Sequence, residues 1–185
     1  MDAELAVELV VLGVVVAAVA SVVWHTLAVG ISPMPTSARV KRVLLELVPA
    51  GVEGEVHELG AAWGTLAFAL ADRCPRARVI AWERSPVPYL VLRLRQALWP
   101  RPNLELRRRD FFEASFAQAS LVVCYLFTGA MERLGPKLAA ELRPGAVVVS
   151  HTFALRGVKP VETRHAADLY RTPVYRYVAP FAPIE

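Results

Sequence analysis

The stretch from Val56 to Glu83, VHELGAAWGTLAFALADRCPRARVIAWE, constrains this chain more than any other. A short apolar run ends in an acid, Glu58. A turn poor in side chains follows, Gly60-Ala61-Ala62-Trp63-Gly64. The apolar spacing of Leu66, Ala67, Phe68 and Leu70 then reads as a helix. A second apolar run, Val79 to Trp82, closes on Glu83. The pattern is a βαβ unit with a carboxylate at the end of each strand. Its physical logic is a nucleotide-like ligand lying over the strand ends. Gly60 and Gly64 allow close backbone approach to a ligand and close packing of helix on strand. Glu83 follows Gly60 by 23 residues, the spacing of a carboxylate that accepts from both hydroxyls of a ribose.

The N-terminus has a different chemistry. Leu9 to Ile31 is 23 residues without Lys, Arg, Asp or Glu. As a helix it extends roughly 34 Å, enough for a hydrocarbon core of about 30 Å. Asp2, Glu4 and Glu8 precede it, where a cleaved signal would be basic. Arg39, Lys41 and Arg42 follow it, and the positive-inside rule then puts the remainder in the cytoplasm. Trp24 suits the interface, and His25 sits there or snorkels. The expected organisation is a transmembrane anchor over 1–31, a stiff linker over 32–37 and a single globular domain over 38–185.

The chain is 55% hydrophobic, with a mean hydropathy of +0.39, and the excess sits in that N-terminal run. Cys74 and Cys124 lie far apart and fit free thiols. The four histidines, His25, His57, His151 and His165, form no zinc-like spacing, so no metal site is expected. The +4 net charge is mostly arginine, densest at Arg107-Arg108-Arg109. A surface facing anionic headgroups accounts for it, and no motif for nucleic acid is present.

Further elements follow in order. Thr36 or Ser37 caps a helix over about 38–48, with Val40, Val43, Leu44 and Leu47 on one face. Strands are expected over about 55–59, 78–82, 104–108, 120–127 and 146–154, with helices between these five. The helix after Glu83 opens on Pro86 and Pro88, and its Arg84, Arg93 and Arg95 read as a solvated face. The last two strands, with only Ala166 to Thr172 between them, form an antiparallel hairpin.

This order resembles the class I S-adenosylmethionine-dependent methyltransferases over about Thr36 to Pro180. Their first motif, acid-x-Gly-x-Gly-x-Gly, stands here as Glu58-Leu59-Gly60-Ala61-Ala62-Trp63-Gly64. The resemblance implies a Rossmann-like seven-stranded sheet, mostly parallel with a C-terminal antiparallel hairpin. It also implies S-adenosylmethionine as cofactor. Glu58 and the turn Gly60, Ala61 and Gly64 hold its amino-acid part. Glu83, with Arg84 beside it, takes the ribose, and Asp110 with Phe111 takes the adenine. Tyr125 falls near the transferred methyl. The N-terminal anchor, Pro33-Met34-Pro35-Thr36-Ser37 and the run Arg107-Arg108-Arg109-Asp110 resemble the membrane-anchored protein-lysine methyltransferases. Mitochondrial members of that group modify the ATP synthase c subunit and the adenine nucleotide translocase. By that resemblance Thr36 reaches the cofactor's carboxylate or closes the site. The implied partners are a lipid bilayer and a membrane-protein or membrane-proximal acceptor, with no nucleic acid.

Methyl transfer needs alignment and exclusion of water rather than a nucleophilic side chain or a metal. A lysine acceptor must lose a proton, which a carboxylate or tyrosine near the methyl assists; Tyr125 is the candidate, the other reading being a strand-end aromatic that packs on the core or the adenine. Two alternatives stay open. Ala62 replaces the middle glycine, and Trp63 either shields the site or fills it, so a non-catalytic membrane protein on the same fold is one. A nicotinamide-dependent oxidoreductase is the other, allowed by Gly60, Gly64 and Glu83. It lacks a Tyr-x-x-x-Lys pair, since Gly129 follows Tyr125 and Val174 follows Tyr170 at that spacing.

Overall fold

The computed structural model describes residues 3–29 and 34–183, with backbone alone for 25–29. Ser32 and Pro33 of the expected linker, and the side chain of His25, lie outside the described residues. The first helix, α1 (Ala3–Val29), is long and apolar enough to cross a membrane, judged by length and composition. A linker residue, Ser37, caps α2 (Ala38–Leu47) by accepting from the Val40 amide at 3.3 Å. The α2 face carrying Val40, Leu44 and Leu47 is buried.

The rest alternates around one sheet. Its elements are β1 (Gly54–Leu59), α3 (Ala67–Arg73), β2 (Ala77–Trp82), α4 (Pro86–Leu98), β3 (Leu104–Arg107), β4 (Ala119–Cys124), α5 (Thr128–Glu141), β5 (Val147–His151), β6 (Glu162–His165) and β7 (Pro173–Val178). The spatial order is β3-β2-β1-β4-β5-β7-β6. The first five strands are parallel, and β7 runs antiparallel to both β5 and β6. This is the expected seven-stranded, mostly parallel sheet with a terminal hairpin.

One expectation fails. Between β3 and β4 there is no α-helix, only a 3-10 turn at Phe111–Glu113. Asp110 starts this turn, its carboxylate accepting from the Phe112 amide at 2.9 Å. The segment back to β4 is too short for two helical turns plus a connection. The fourth strand is also shorter than expected, and Tyr125 lies just past its end.

The sheet divides the core. Val56, Val79, Ala81, Val123 and Val149 face α2 and α3 on one side. Leu59, Ile80, Val122, Val148 and Tyr177 pack with α5 residues Met131, Leu134 and Leu138 on the other. β1 lies between β2 and β4, so the chain leaves β1 to one side and returns to the other. Such a reversal opens a crevice at the carboxyl ends of the strands, where open α/β sheets bind ligands.

Candidate active site

The crevice is built by the turn after β1. The Gly60 and Ala61 amides donate to the Trp82 carbonyl at 3.0 and 2.8 Å, folding the chain back over β2. Gly60, Ala62 and Gly64 all have positive φ, at 79°, 45° and 81°. Ala62 is the strained one, since a Cβ in this region costs about 1–2 kcal/mol. A partner holds it there: the Ala62 amide donates to the Glu83 carboxylate at 2.8 Å. At Gly64 glycine is required by space as well. A Cβ there would lie 2.3 Å from Leu92 Cδ1 of α4. Trp63 contributes its backbone to a brace on this turn. Its carbonyl accepts from the Arg95 guanidinium, which lies 4.6 Å over the Phe68 ring. Arg95 is therefore not part of a solvated face, as the sequence had it, but a brace for the glycine turn.

A narrow cavity opens behind this turn. Met34, Pro35 and Thr36 line it from before α2, Glu58 to Ala62 from β1 and its turn, and Tyr125 from the end of β4. Trp63 is not in this lining, so the indole does not fill the cavity. Glu58 is 3% exposed, and its Oε2 has no hydrogen-bond partner. Burial first, then the neighbouring Glu83 charge, pushes its carboxyl well above the ordinary range, opposed in part by Arg95. A buried carboxylate oxygen without a partner is costly, and it is the group an incoming ammonium would satisfy.

Glu83 stands at the end of β2. Besides the Ala62 amide it accepts from the Ser85 amide at 2.7 Å, which fixes its carboxylate at the start of α4. Arg84 is exposed and pairs with Asp110 at 3.5 Å, bridging the ends of β2 and β3. Phe111 follows, half-buried, its ring 4.6 Å from that of Phe112. Glu58, Gly60, Ala61, Gly64, Glu83, Arg84, Asp110 and Phe111 thus all stand at the carboxyl ends of β1, β2 and β3.

Thr36 and Tyr125 meet a residue that the sequence reading passed over. Thr36 Oγ1 lies 3.1 Å from His151 Nε2, and the Tyr125 ring stacks on the His151 imidazole at 4.2 Å. On the other ring nitrogen, Nδ1 sits 3.1 Å from Thr152 Oγ1. Thr152 holds a left-handed φ of 68°, and the turn it makes sets Phe153 parallel to Tyr125 at 6.4 Å. Burial lowers the His151 pKa to about 4, so the imidazole is neutral at physiological pH. The signal for His151 was present in the sequence: a polar residue ending a continuously apolar strand. Spacing to the other histidines does not single it out; its contacts with Thr36 and Tyr125 do.

A second, wider cleft lies on the α5 side of the sheet, between β1, β2 and β3. There the Trp82 indole donates to His57 Nδ1 at 3.1 Å, and Arg107 lies 5.0 Å over the Trp82 ring. It exists because the β3–β4 connection is a single turn and leaves that face uncovered.

The sheet order, the glycine turn with an acid at each strand end and the unsatisfied Glu58 define a class I S-adenosylmethionine-dependent methyltransferase. Comparison with known proteins narrows this. Residues 58–162 match the model of the ANTKMT methyltransferase domain, and the chain belongs to that family. A protein-lysine N-methyltransferase of Saccharolobus islandicus is 31% identical in an alignment of 155 residues, with coverage of 78% of this chain and 91% of the relative. The structure of an RNA methyltransferase from Salinibacter ruber with S-adenosyl-L-homocysteine superposes with a TM-score of 0.69 at 29% identity. It covers 82% of this chain and 95% of its own. Aeropyrum pernix fibrillarin with bound S-adenosyl-L-methionine shares the fold, with a TM-score of 0.59 at 17% identity over 74% of this chain and 73% of its own. The chain is thus an S-adenosylmethionine-dependent N-methyltransferase. Its residues fit the cofactor: Glu58 offers an unpaired buried carboxylate, and the turn after β1 offers backbone with few side chains in the way.

Proposed function

We propose that this enzyme methylates lysine side chains of membrane-associated proteins, held at the bilayer by α1. The observation that carries the reading is the aromatic wall beside the cavity, Tyr125 stacked on His151 and flanked by Phe153. Aromatic faces suit a cationic amine and its alkyl stem. The lysine-modifying relative and the apolar α1 support the acceptor class and its place.

Glu58 pairs with the cofactor's ammonium, Glu83 with its ribose hydroxyls, and Asp110 with Phe111 flanks the adenine. When bound, the cofactor supplies a methyl group on a sulfonium, an electrophile that needs no activation by the protein. The chain aligns the acceptor and excludes water. The Tyr125 hydroxyl accepts a hydrogen bond from the acceptor amine and orients its lone pair, the amine having given its ammonium proton to solvent before it enters the site. His151, kept neutral, holds the Tyr125 ring without adding a positive charge beside the sulfonium. Thr36 ties the segment before α2 to β5 through His151 at one wall of the cavity.

The experiment is methylation by the full chain with radiolabelled S-adenosylmethionine, offered isolated membranes, soluble protein and RNA in parallel. Label in Nε-methylated lysine of the membrane fraction supports the reading. Label in RNA, or only in soluble protein, overturns it.

A further inference from the structure

Helix α4 is apolar on two faces. Pro88 and Leu92 of its inner face are buried against the domain. Its outer face carries Leu90, Leu94 and Leu98 at successive i,i+4 positions, followed by Trp99, and these are 67%, 58%, 59% and 60% exposed. A surface helix of a soluble domain presents polar residues there. Here the polar members of that face are few, and the exposed Arg93 lies between Leu90 and Leu94.

We infer that this face of α4 lies in the interface of the bilayer that α1 enters, so that the domain rests on the lipid rather than hanging from a tether. The inference depends on the proposed anchoring by α1. Three observations support lipid as the occupant. First, α1 and α4 are neighbours in the fold, and Ala18, Ser21 and Val22 are partly covered where most of the α1 residues around them are exposed. Helix α4 therefore lies beside an apolar helix long enough to span. Second, Val29 and Met34 are five residues apart, which limits their separation to about 18 Å; the catalytic domain cannot move far from the end of α1. Third, leucines at helical spacing closed by a tryptophan, with arginine beside them, are the chemistry of a helix lying in the plane of an interface, where Trp sits at headgroup level and Arg snorkels to the phosphates.

The consequence is positional. The Ser85 amide, at the start of α4, is held by Glu83, so a helix seated in the headgroup layer brings the end of β2 and the glycine turn to the membrane surface. A lysine at the lipid–water boundary then reaches Tyr125 without leaving the interface.

The test places an environment-sensitive fluorophore on the full chain at Leu94→Cys and, as control, at Gln118→Cys, an exposed position at the amino end of β4. The native thiols, Cys74 and Cys124, are buried and do not compete for label. Vesicles of phosphatidylcholine and phosphatidylglycerol are added, with and without brominated acyl chains, and flotation is measured on the same samples. The expected result is co-flotation, with a blue shift and strong bromine quenching at position 94 and neither at 118. A chain that floats with a water-like probe at 94 overturns the inference and leaves anchoring by α1 standing. A chain that does not float overturns both. A probe at 94 that is already blue-shifted without vesicles also overturns the inference, because α1 or a second copy then covers the stripe. Leu94→Ser serves as a second arm: it should leave binding of S-adenosylhomocysteine unchanged and lower methylation of membrane acceptors while sparing a soluble lysine peptide. Equal turnover on both acceptors speaks against docking.

Discussion

Replacing Glu58 by glutamine separates two effects that the structure couples at one atom. In the ligand-free protein the Glu58 carboxyl is buried, with Oε2 unpartnered and Glu83 close by. Its folded pKa stands well above the ordinary 4.5. Between the unfolded and the raised folded value the native state holds more protons than the unfolded state. Stability is therefore full below pH 4.5 and falls as pH rises through that window. An amide at this position does not titrate and has no such fall, so at neutral pH the E58Q protein should melt higher than the native one, by about 2–4 °C for each kcal/mol relieved. Binding should move the other way. An ammonium on a carboxylate makes a charge-assisted hydrogen bond of about 1.5–3 kcal/mol, so E58Q should bind S-adenosylhomocysteine about 10- to 150-fold more weakly. The native affinity should also climb with pH, because Glu58 must ionise to receive the ammonium, and level off above the raised pKa. Calorimetric titration across pH reads both, with differential scanning on the ligand-free samples. A variant that binds as tightly as the native protein, with the same pH dependence, refutes the assignment of Glu58.

Other outcomes follow from neighbouring residues. Gly64→Ala puts a Cβ 2.3 Å from Leu92 Cδ1 at a φ of 81° and should destabilise by about 2–3 kcal/mol, read by denaturant midpoint. Ala62→Gly should relieve strain by about 1 kcal/mol in the same assay. His151 has a folded pKa of about 4 against 6.5 unfolded, so its contribution is whole above pH 6.5 and is lost as pH falls toward 4. That loss is worth about 3 kcal/mol, and His151→Gln should flatten that part of the stability profile. Tyr125→Phe keeps the stack and removes the hydroxyl; kcat should drop about 100-fold with S-adenosylhomocysteine affinity unchanged, and an unaltered kcat removes Tyr125 from the chemistry.

The sheet was legible because its signals are local. Each parallel strand is a short apolar run with a charged or small residue at or near its end, and the four intervals between them leave little choice of topology. The glycine turn was legible for the same reason, while the positive φ at Ala62 is seen only in the fold. Three features were not. The missing helix after β3 depends on Asp110 capping a turn, which competes with an ordinary helix start. Arg95 reads as one more charged residue on a helix, and only the fold brings it under Trp63. His151 gains its meaning from contacts with Thr36 and Tyr125, 115 and 26 positions away, a pairing made by β4 and β5 lying side by side.

The roles of Glu58, Glu83 and Tyr125 all depend on where the cofactor lies, and a crystal structure of the chain with S-adenosylhomocysteine tests that most directly. The predicted complex has the ligand across the β1–β4 crevice, its ammonium about 3 Å from Glu58 Oε2, its ribose on Glu83 and its sulfur facing Tyr125. A ligand seated instead in the cleft over His57 and Trp82, with Glu58 still unpartnered, would contradict it.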